Sequence, residues 1–498
     1  MLVATGNPVA KAELMDRVRP GAIGPCPIID RLAYTAEPPI KARNRQPGNL
    51  VHAMRLAPGP FFAAHSPPRE PARMIAPFRN RWIRIQGVTL VMVVMSQVDR
   101  ANIALAFPAM RAELGLSATA IGFATGVFFW GYLTLQIPMG RLASVWSAKR
   151  TLMMLGIGWA VISATTALVH SETELVINRF LLGLSEGGTL PGFVVLMRAW
   201  FTRDERARAN MVLMGTPIAI AIGNPLCGFA VGAFGWHVMF VVTAIPALLW
   251  CLVWWWAIDD DPRQTNLMPP AEKAALIATL DAEAREDVVS QLHWFRVIWN
   301  PVVLLLSAYN LLGLTALWGL SYWLPTLLVE AGHTIGMSGL LSAIPYVASI
   351  GMALLLSYSS DRRRERKWHM LVPTFLAGVF MLLAASVGQG HLVLLLLCLS
   401  LTVALWFGRI TMYWILVADS VPKDAAGASM AIANGVGNFG GFLGPFVFGW
   451  LRTVTDSFDA AMIFGGIAFA TAAIIVMPMR FSASSRPGNA VPALARGR

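Results

Sequence analysis

The sequence predicts an all-α polytopic membrane protein with twelve transmembrane helices in two six-helix halves. Three observations predict it. Of 498 residues, 56% are hydrophobic and 13% charged, with a mean hydropathy of +0.59, and a soluble domain carries about twice that charged fraction. From residue 84 onward, apolar segments alternate with short polar breaks, and each has roughly the 20 residues a helix needs to cross about 30 Å of hydrocarbon. Lysine and arginine collect in alternate loops, as they do on the cytoplasmic side of membrane proteins.

Residues 1–77 come first and differ from the rest, with 13 prolines, 10 Lys/Arg, 5 Asp/Glu and no long apolar run. No apolar core of signal-peptide type follows the basic residues, and the proline density opposes a packed domain. Two readings stand for this stretch: a disordered cytoplasmic tail, or upstream sequence ahead of a true start at Met74.

The spans follow at 84–108, 118–139, 151–170, 174–197, 209–232, 236–258, 300–325, 337–358, 369–388, 391–415, 427–450 and 459–478. Barrel strands would be about ten residues long with alternating polarity, whereas these segments are continuously apolar. Residues 78–258 are the expected first bundle, 259–298 a cytoplasmic linker, 299–480 the second bundle and 481–498 a cytoplasmic tail. The linker has 8 acidic and 4 basic residues, and its stretch 270–285 reads as an amphipathic surface helix opened by proline and acids. After residue 78 there are 29 Lys/Arg; with both termini cytoplasmic, 24 fall inside, 2 outside (Arg111, Arg452) and 3 within spans. Basic turns after the second span (Arg141, Lys149, Arg150) and after the eighth (Asp361, Arg362 and the arginines that follow) lie about 216 residues apart. Such spacing suits two repeats about a central axis.

Ionisable groups inside a span are costly and mark cavities or pathways. Asp99 and Arg100 lie in the first span, Arg179 and Glu186 in the fourth, and Arg409 stands alone in the tenth. Arg179 and Glu186 share a face two turns apart, about 10 Å along the axis, so each needs a partner elsewhere. Asp99 is the obvious one. The structural alternative is a buried ion network that only holds helices together. Against it, Glu186 is followed by Gly187, Gly188 and Pro191, small residues that allow close approach, which suits a proton carrier. Further polar groups are Tyr132 and Gln136 in the second span, Tyr309, Asn310, Trp318 and Tyr322 in the seventh, and Asn434 and Asn438 in the eleventh. Aromatics in spans more often serve packing than ligand contact. An amide in hydrocarbon needs a partner.

Several functions are excluded. The few charges are dispersed in loops, so no basic face is available for nucleic acid. Cys26, Cys227, Cys251 and Cys398 have no ligand spacing, and neither a metal site nor a disulfide scaffold is expected. No phosphate-binding glycine loop is present for ATP, and no cofactor is expected. Gly183-Leu-Ser-Glu-Gly187 satisfies G-x-S-x-G, but a nucleophile elbow needs a strand-to-helix turn and this segment is read as helix. An enzyme is therefore not expected.

At this point the residues are similar to a known group. The chain resembles the major facilitator superfamily, and within it the anion:cation symporter family of bacterial tartrate, phthalate, hexuronate, galactonate and glucarate transporters. The resemblance covers about residues 80–480. It is carried by VDRANIALA from Val98, RFLLGLSEGGTLPG from Arg179, WFTRDERAR from Trp200, YWLP from Tyr322, SDRRRERKWH from Ser360 and GNFGGFLGP from Gly437. It implies that Asp99, Arg100, Arg179 and Glu186 line a central cavity. Glu186, with Asp99, would be the proton-coupling group, the arginines would anchor a carboxylate, and Asn434 or Asn438 would lie near the substrate. The loops after spans two and eight would act as gates. One departure stands out. The superfamily's G-x-x-x-D-R/K-x-G-x-R/K-R/K loop is here GRLASVWSAKR from Gly140, without the acid, the first base or the second glycine. By resemblance that acid stabilises the outward-open form, so its loss bears on the conformational balance and leaves the fold untouched.

The expectation is proton-coupled uptake of a small organic anion (dicarboxylate, sugar acid or aromatic carboxylate). The carrier would be a monomer in the bacterial inner membrane, with protons, the anion and the lipid bilayer as its partners. The rivals are an exporter or antiporter of metabolites or drugs, and a non-transporting receptor of the same fold.

Overall fold

In the computed structural model, ten helices among the described residues are long and apolar enough to cross a membrane. The description covers residues 80–479 apart from 267, 287–296, 389 and 422–424. The expected extension 1–77 and tail 481–498 lie outside the described residues. One of the ten, Arg203–Ala257, runs for 55 residues, far more than one crossing needs. Within it, Thr216–Ala257 breaks at Gly235 (φ 83°, ψ 165°), a backbone that only glycine adopts at no steric cost, and two spans result, 216–234 and 236–257. Another span, the 30-residue helix Ala426–Thr455, has its hydropathy diluted by asparagines and glycines. With these the spans number twelve, as the sequence predicts. In order they are Trp82–Leu114, Ala118–Val145, Ala148–Leu168, Glu172–Trp200, the two parts of Thr216–Ala257, Pro301–Glu330, Ile335–Arg363, Lys367–Val387, Leu392–Asp419, Ala426–Thr455 and Asp459–Val476.

The outer surface suits hydrocarbon. Ile137, Leu252, Leu354 and Val393 are exposed large apolar side chains, and a belt of such residues matches lipid tails. Inside, small residues set the helix spacing. The second and fourth spans approach so closely at Gly183 and Gly187 that a Cβ there would meet the carbonyl oxygens of Phe128 and Tyr132. Close approach of this kind replaces the hydrophobic driving force that lipid removes.

The bonds seen to join the two halves lie at the end away from the basic loops, or midway along the spans. Thr119 and Thr453 hydroxyls are 2.9 Å apart, Arg111 is 3.8 Å from Glu330, and Asn224 donates to Ser342 at 2.9 Å. Phe107 packs against Trp323, and Phe123 against Phe442 and Phe446. That end of the bundle is closed in this state. A Thr119→Cys/Thr453→Cys pair is expected to cross-link on oxidation and stop turnover, with recovery on reduction. Uptake by vesicles before and after a reductant checks this, and undiminished uptake by the oxidised pair would show that this end need not open.

At the basic end, the degenerate loop after the second span finds an acid elsewhere. Asp260, from the start of the linker, accepts from the Ser147 hydroxyl at 2.6 Å and from the Lys149 amide at 2.8 Å, so it caps the third span where backbone N–H groups are otherwise unpaired. Asp259 is 3.6 Å from Lys149. Asp260→Ala is expected to cost about 0.5–2 kcal/mol, as loss of a helix cap does, read as a lower thermal midpoint of the purified protein. The linker helix is Pro270–Glu286. Leu276 is its buried apolar residue, and charge pairs dock it on the first half, Arg206–Glu283 at 3.0 Å and Arg81–Glu272 at 3.7 Å.

Candidate functional site

Three spans lose their regular hydrogen-bond ladder beside a charged residue. The first is interrupted at Asn102, just past Asp99 and Arg100. The fourth is interrupted at Gly187–Gly188, just past Glu186, and the tenth at Arg409 itself. The backbone stays right-handed at each, with φ/ψ of −56°/−34° at Asn102, −86°/−5° at Gly188 and −85°/−5° at Arg409, so these are local loosenings and not reversals. Discontinuous spans near mid-membrane are where transporters commonly place substrate and ion groups.

Arg100 and Glu186 form the centre. The Arg100 Nη2 and Nε donate to one carboxylate oxygen, Oε2, at 2.7 and 3.2 Å. Glu186 is fully buried, and its other oxygen, Oε1, has no hydrogen-bond partner. The Arg100 guanidinium lies 4.9 Å from the ring centres of both Phe128 and Tyr132, and such contacts stabilise a desolvated cation. The glycine contacts at 183 and 187 are what bring these two rings and the carboxylate to one place.

Asp99 and Arg179 do not pair. Asp99 accepts from Asn102 Nδ2 at 3.0 Å and from the Ser163 hydroxyl, and its Oδ2 has no partner. Arg179 donates to Thr166 Oγ1 at 2.7 Å and to Asn178 Oδ1 at 3.3 Å, with Phe240 5.5 Å away. The expected partnership fails because the third span supplies neutral hydroxyls to both groups first, and because Arg100 is the cation that reaches Glu186. Asn102 was within reach of sequence reasoning, three residues after Asp99. Ser163 and Thr166 were not, since a serine or threonine in an apolar run gives no sign of which helix it faces.

The other candidates fall into separate places. Tyr132 belongs to the Arg100 cluster. Gln136, one turn on, is half-buried. Tyr309 is buried in the second half, where its hydroxyl is 2.5 Å from Thr374 and its ring is stacked on Trp406 and Tyr413. Asn434 and Asn438 are half-buried on the eleventh span. The amide that ties the seventh span to the eleventh is Asn310, which donates to the Ala433 carbonyl at 3.2 Å. Among the gate residues, Lys149 is held by Asp259, Arg150 lies over Trp146 at 5.8 Å, and Arg141, Asp361 and Arg362 lie partly or fully exposed at the basic end. Ser185 sits inside a helix with its hydroxyl on the Leu182 carbonyl at 2.8 Å, which leaves the G-x-S-x-G string without an elbow. Among the described residues no group of three or more His, Cys, Asp or Glu is arranged to hold a metal.

Comparison with known proteins agrees with this architecture. A family model described as "Major Facilitator Superfamily" matches residues 89–445. NicT of Pseudomonas putida is 30% identical over 390 residues, covering 76% of this chain and 89% of that protein. A quinolone resistance transporter of Acinetobacter baumannii is 28% identical, covering 75% and 88%. The hexuronate transporter of Bacillus subtilis is 26% identical, covering 77% and 91%. Among solved structures, the inward open conformation of the xylose transporter XylE of E. coli aligns with a TM-score of 0.65 at 16% identity, over 79% of this chain and 95% of that one.

Proposed function

The chain belongs to the Major Facilitator Superfamily, and on that premise we propose that it is a proton-coupled symporter of a small organic anion, taken up through the inner membrane by alternating access. The observation that carries this reading is the buried Arg100–Glu186 pair. An arginine edge gives directional two-donor recognition of a carboxylate and stays charged when desolvated. In the described state that donor edge is held by the protein's own acid. A proton on Glu186 would neutralise it and release Arg100 to a substrate carboxylate, so proton and anion are taken up together. Asp99 is the second acid available to the cycle, and Arg179, on the same helix face as Glu186, the second anchor. With the basic loops on the cytoplasmic side, the closed end is the periplasmic one. Similarity to a hexuronate transporter supports an acid as the cargo.

A second reading, export, is favoured by the similarity to a quinolone resistance transporter. Vesicle uptake under an imposed pH gradient separates the two, with hexuronates, sugar diacids, hydroxy dicarboxylates and aromatic carboxylates as the panel. Symport requires accumulation of at least one acid with proton movement in the same direction. Proton movement opposed to the solute would favour antiport. Absence of acid-dependent proton movement across the whole panel would overturn the symport reading, and binding without counterflow would point to a receptor.

A further inference from the structure

Arg409 is a buried cation that nothing above employs. It stands where the tenth span is interrupted, as the residue immediately before Ile410–Asp419, and it is 1% exposed. Its guanidinium lies 3.4 Å from the Trp406 ring centre, 5.0 Å from Tyr413 and 5.1 Å from Tyr309. These rings cover the cation but supply no acceptor to its N–H groups. The Tyr413 hydroxyl donates to the Leu306 carbonyl and the Tyr309 hydroxyl is engaged with Thr374. Two guanidinium nitrogens, Nε and Nη1, are buried without any hydrogen-bond partner. An aromatic box of this kind reduces the cost of burying the charge. It does not replace the hydrogen bonds that burial removes.

The charge balance points the same way. In the first half, the mid-span charges are two acids and two bases, Asp99 and Glu186 against Arg100 and Arg179. In the second half, among the described residues, Arg409 has no acid beside it at mid-span, so the mid-membrane region there carries one surplus positive charge. The two halves are also alike in form, since the fourth and tenth spans are both interrupted partway along. One interruption presents a carboxylate held by an arginine. The other presents an arginine held by no carboxylate.

We propose that Arg409 is the second half's anion-binding residue, taking a carboxylate of the transported acid on guanidinium nitrogens that the described residues leave without an acceptor. Either edge of the fork includes one of the two unsatisfied nitrogens, and a single carboxylate there makes the buried region neutral. The inference rests on the organic-anion reading and deepens it: the cargo's carboxylate meets an arginine in each half, so each half has a charge-based reason to move with the substrate. Arg409 also differs from Arg100 in one respect. Its availability does not wait on a proton, because among the described residues no acid pairs with it.

The test is calorimetric binding to the purified full-length protein, using whichever acid of the uptake panel the wild type accumulates. Arg409→Gln is expected to weaken binding by about 10- to 100-fold, the loss that follows removal of charge-assisted hydrogen bonds. The empty variant should be at least as heat-stable as the wild type, since an unopposed buried charge has gone. Arg409→Lys, which keeps the charge but loses the fork, should fall between the two. Wild-type affinity in Arg409→Gln, or a lysine variant no better than the glutamine one, would overturn the proposal. If the glutamine variant does not purify as a monodisperse protein, the lysine variant decides, and affinity equal to wild type overturns it. Arg100→Gln separates the two levels of the argument. Weak binding there with normal binding in Arg409→Gln leaves the transport reading standing and sinks this one, whereas a wild type that binds no acid sinks both.

Discussion

Glu186→Gln is expected to bring proton-driven accumulation down to simple equilibration, an inside-to-outside ratio near unity, while counterflow of preloaded acid continues. Glutamine keeps the shape of glutamate and cannot exchange a proton. In the wild type, one oxygen of Glu186 receives both Arg100 donors and the other has no partner. A neutral amide at this position imitates the protonated carrier. Arg100 is then permanently available to the substrate, and the two halves can exchange solute across the membrane with no proton to drive a net gain. Parallel measurements of gradient-driven uptake and of counterflow in reconstituted vesicles decide the matter. Accumulation at the wild-type level would move the coupling proton elsewhere, with Asp99 the next acid to examine.

The second large effect is on stability. Arg100→Ala is expected to destabilise the protein by about 3–5 kcal/mol, the usual result of breaking a buried ion pair from one side. The loss comes less from the pair's own attraction than from the carboxylate left behind. Glu186 is fully buried, and without Arg100 it must either keep an unpaired charge or take up a proton, each at a cost to the folded state. The double variant Arg100→Ala/Glu186→Ala should therefore recover much of the loss, since no charge remains unopposed, yet it should bind no acid. Thermal unfolding of the single and double variants in the same detergent gives the comparison. A single variant as stable as the wild type would mean that the pair is already solvated, and the competition between Glu186 and substrate for Arg100 would lose its basis.

Several features are legible in the sequence. The twelve spans follow from segment length because a bilayer sets a single length scale, and every expected segment corresponds to a helix. The interior position of Asp99, Arg100, Arg179, Glu186 and Arg409 also follows from sequence, since so few charges occur in these spans that each one stands out. Even the linker helix begins at the proline that marks it, Pro270.

Partner choice was not legible. Asp99 looked like the counterion of Arg179 because the first and fourth spans face each other, and spacing along one helix says nothing about which neighbour arrives first. The third span supplies Ser163 and Thr166, which satisfy both groups with neutral hydroxyls, and Arg100 turns to Glu186. The aromatic box of Arg409 was equally hidden. Tyr309 and Arg409 are 100 residues apart, and a tyrosine in a span reads as packing until a cation is found over its ring. Nor does the loop after the second span reveal that the fold brings Asp260 to it from beyond the end of the sixth span.

The sequence by itself therefore determined what is local: the number of spans, the loops rich in positive charge, and the identity of each charge that the hydrocarbon must accommodate. Only the tertiary structure decided which of those charges cancel and which is left over. The reason is physical. Insertion into a bilayer is settled segment by segment through transfer free energy, whereas an ion pair or a hydrogen bond depends on separations of about 3 Å between groups that the chain brings together only when the helices pack.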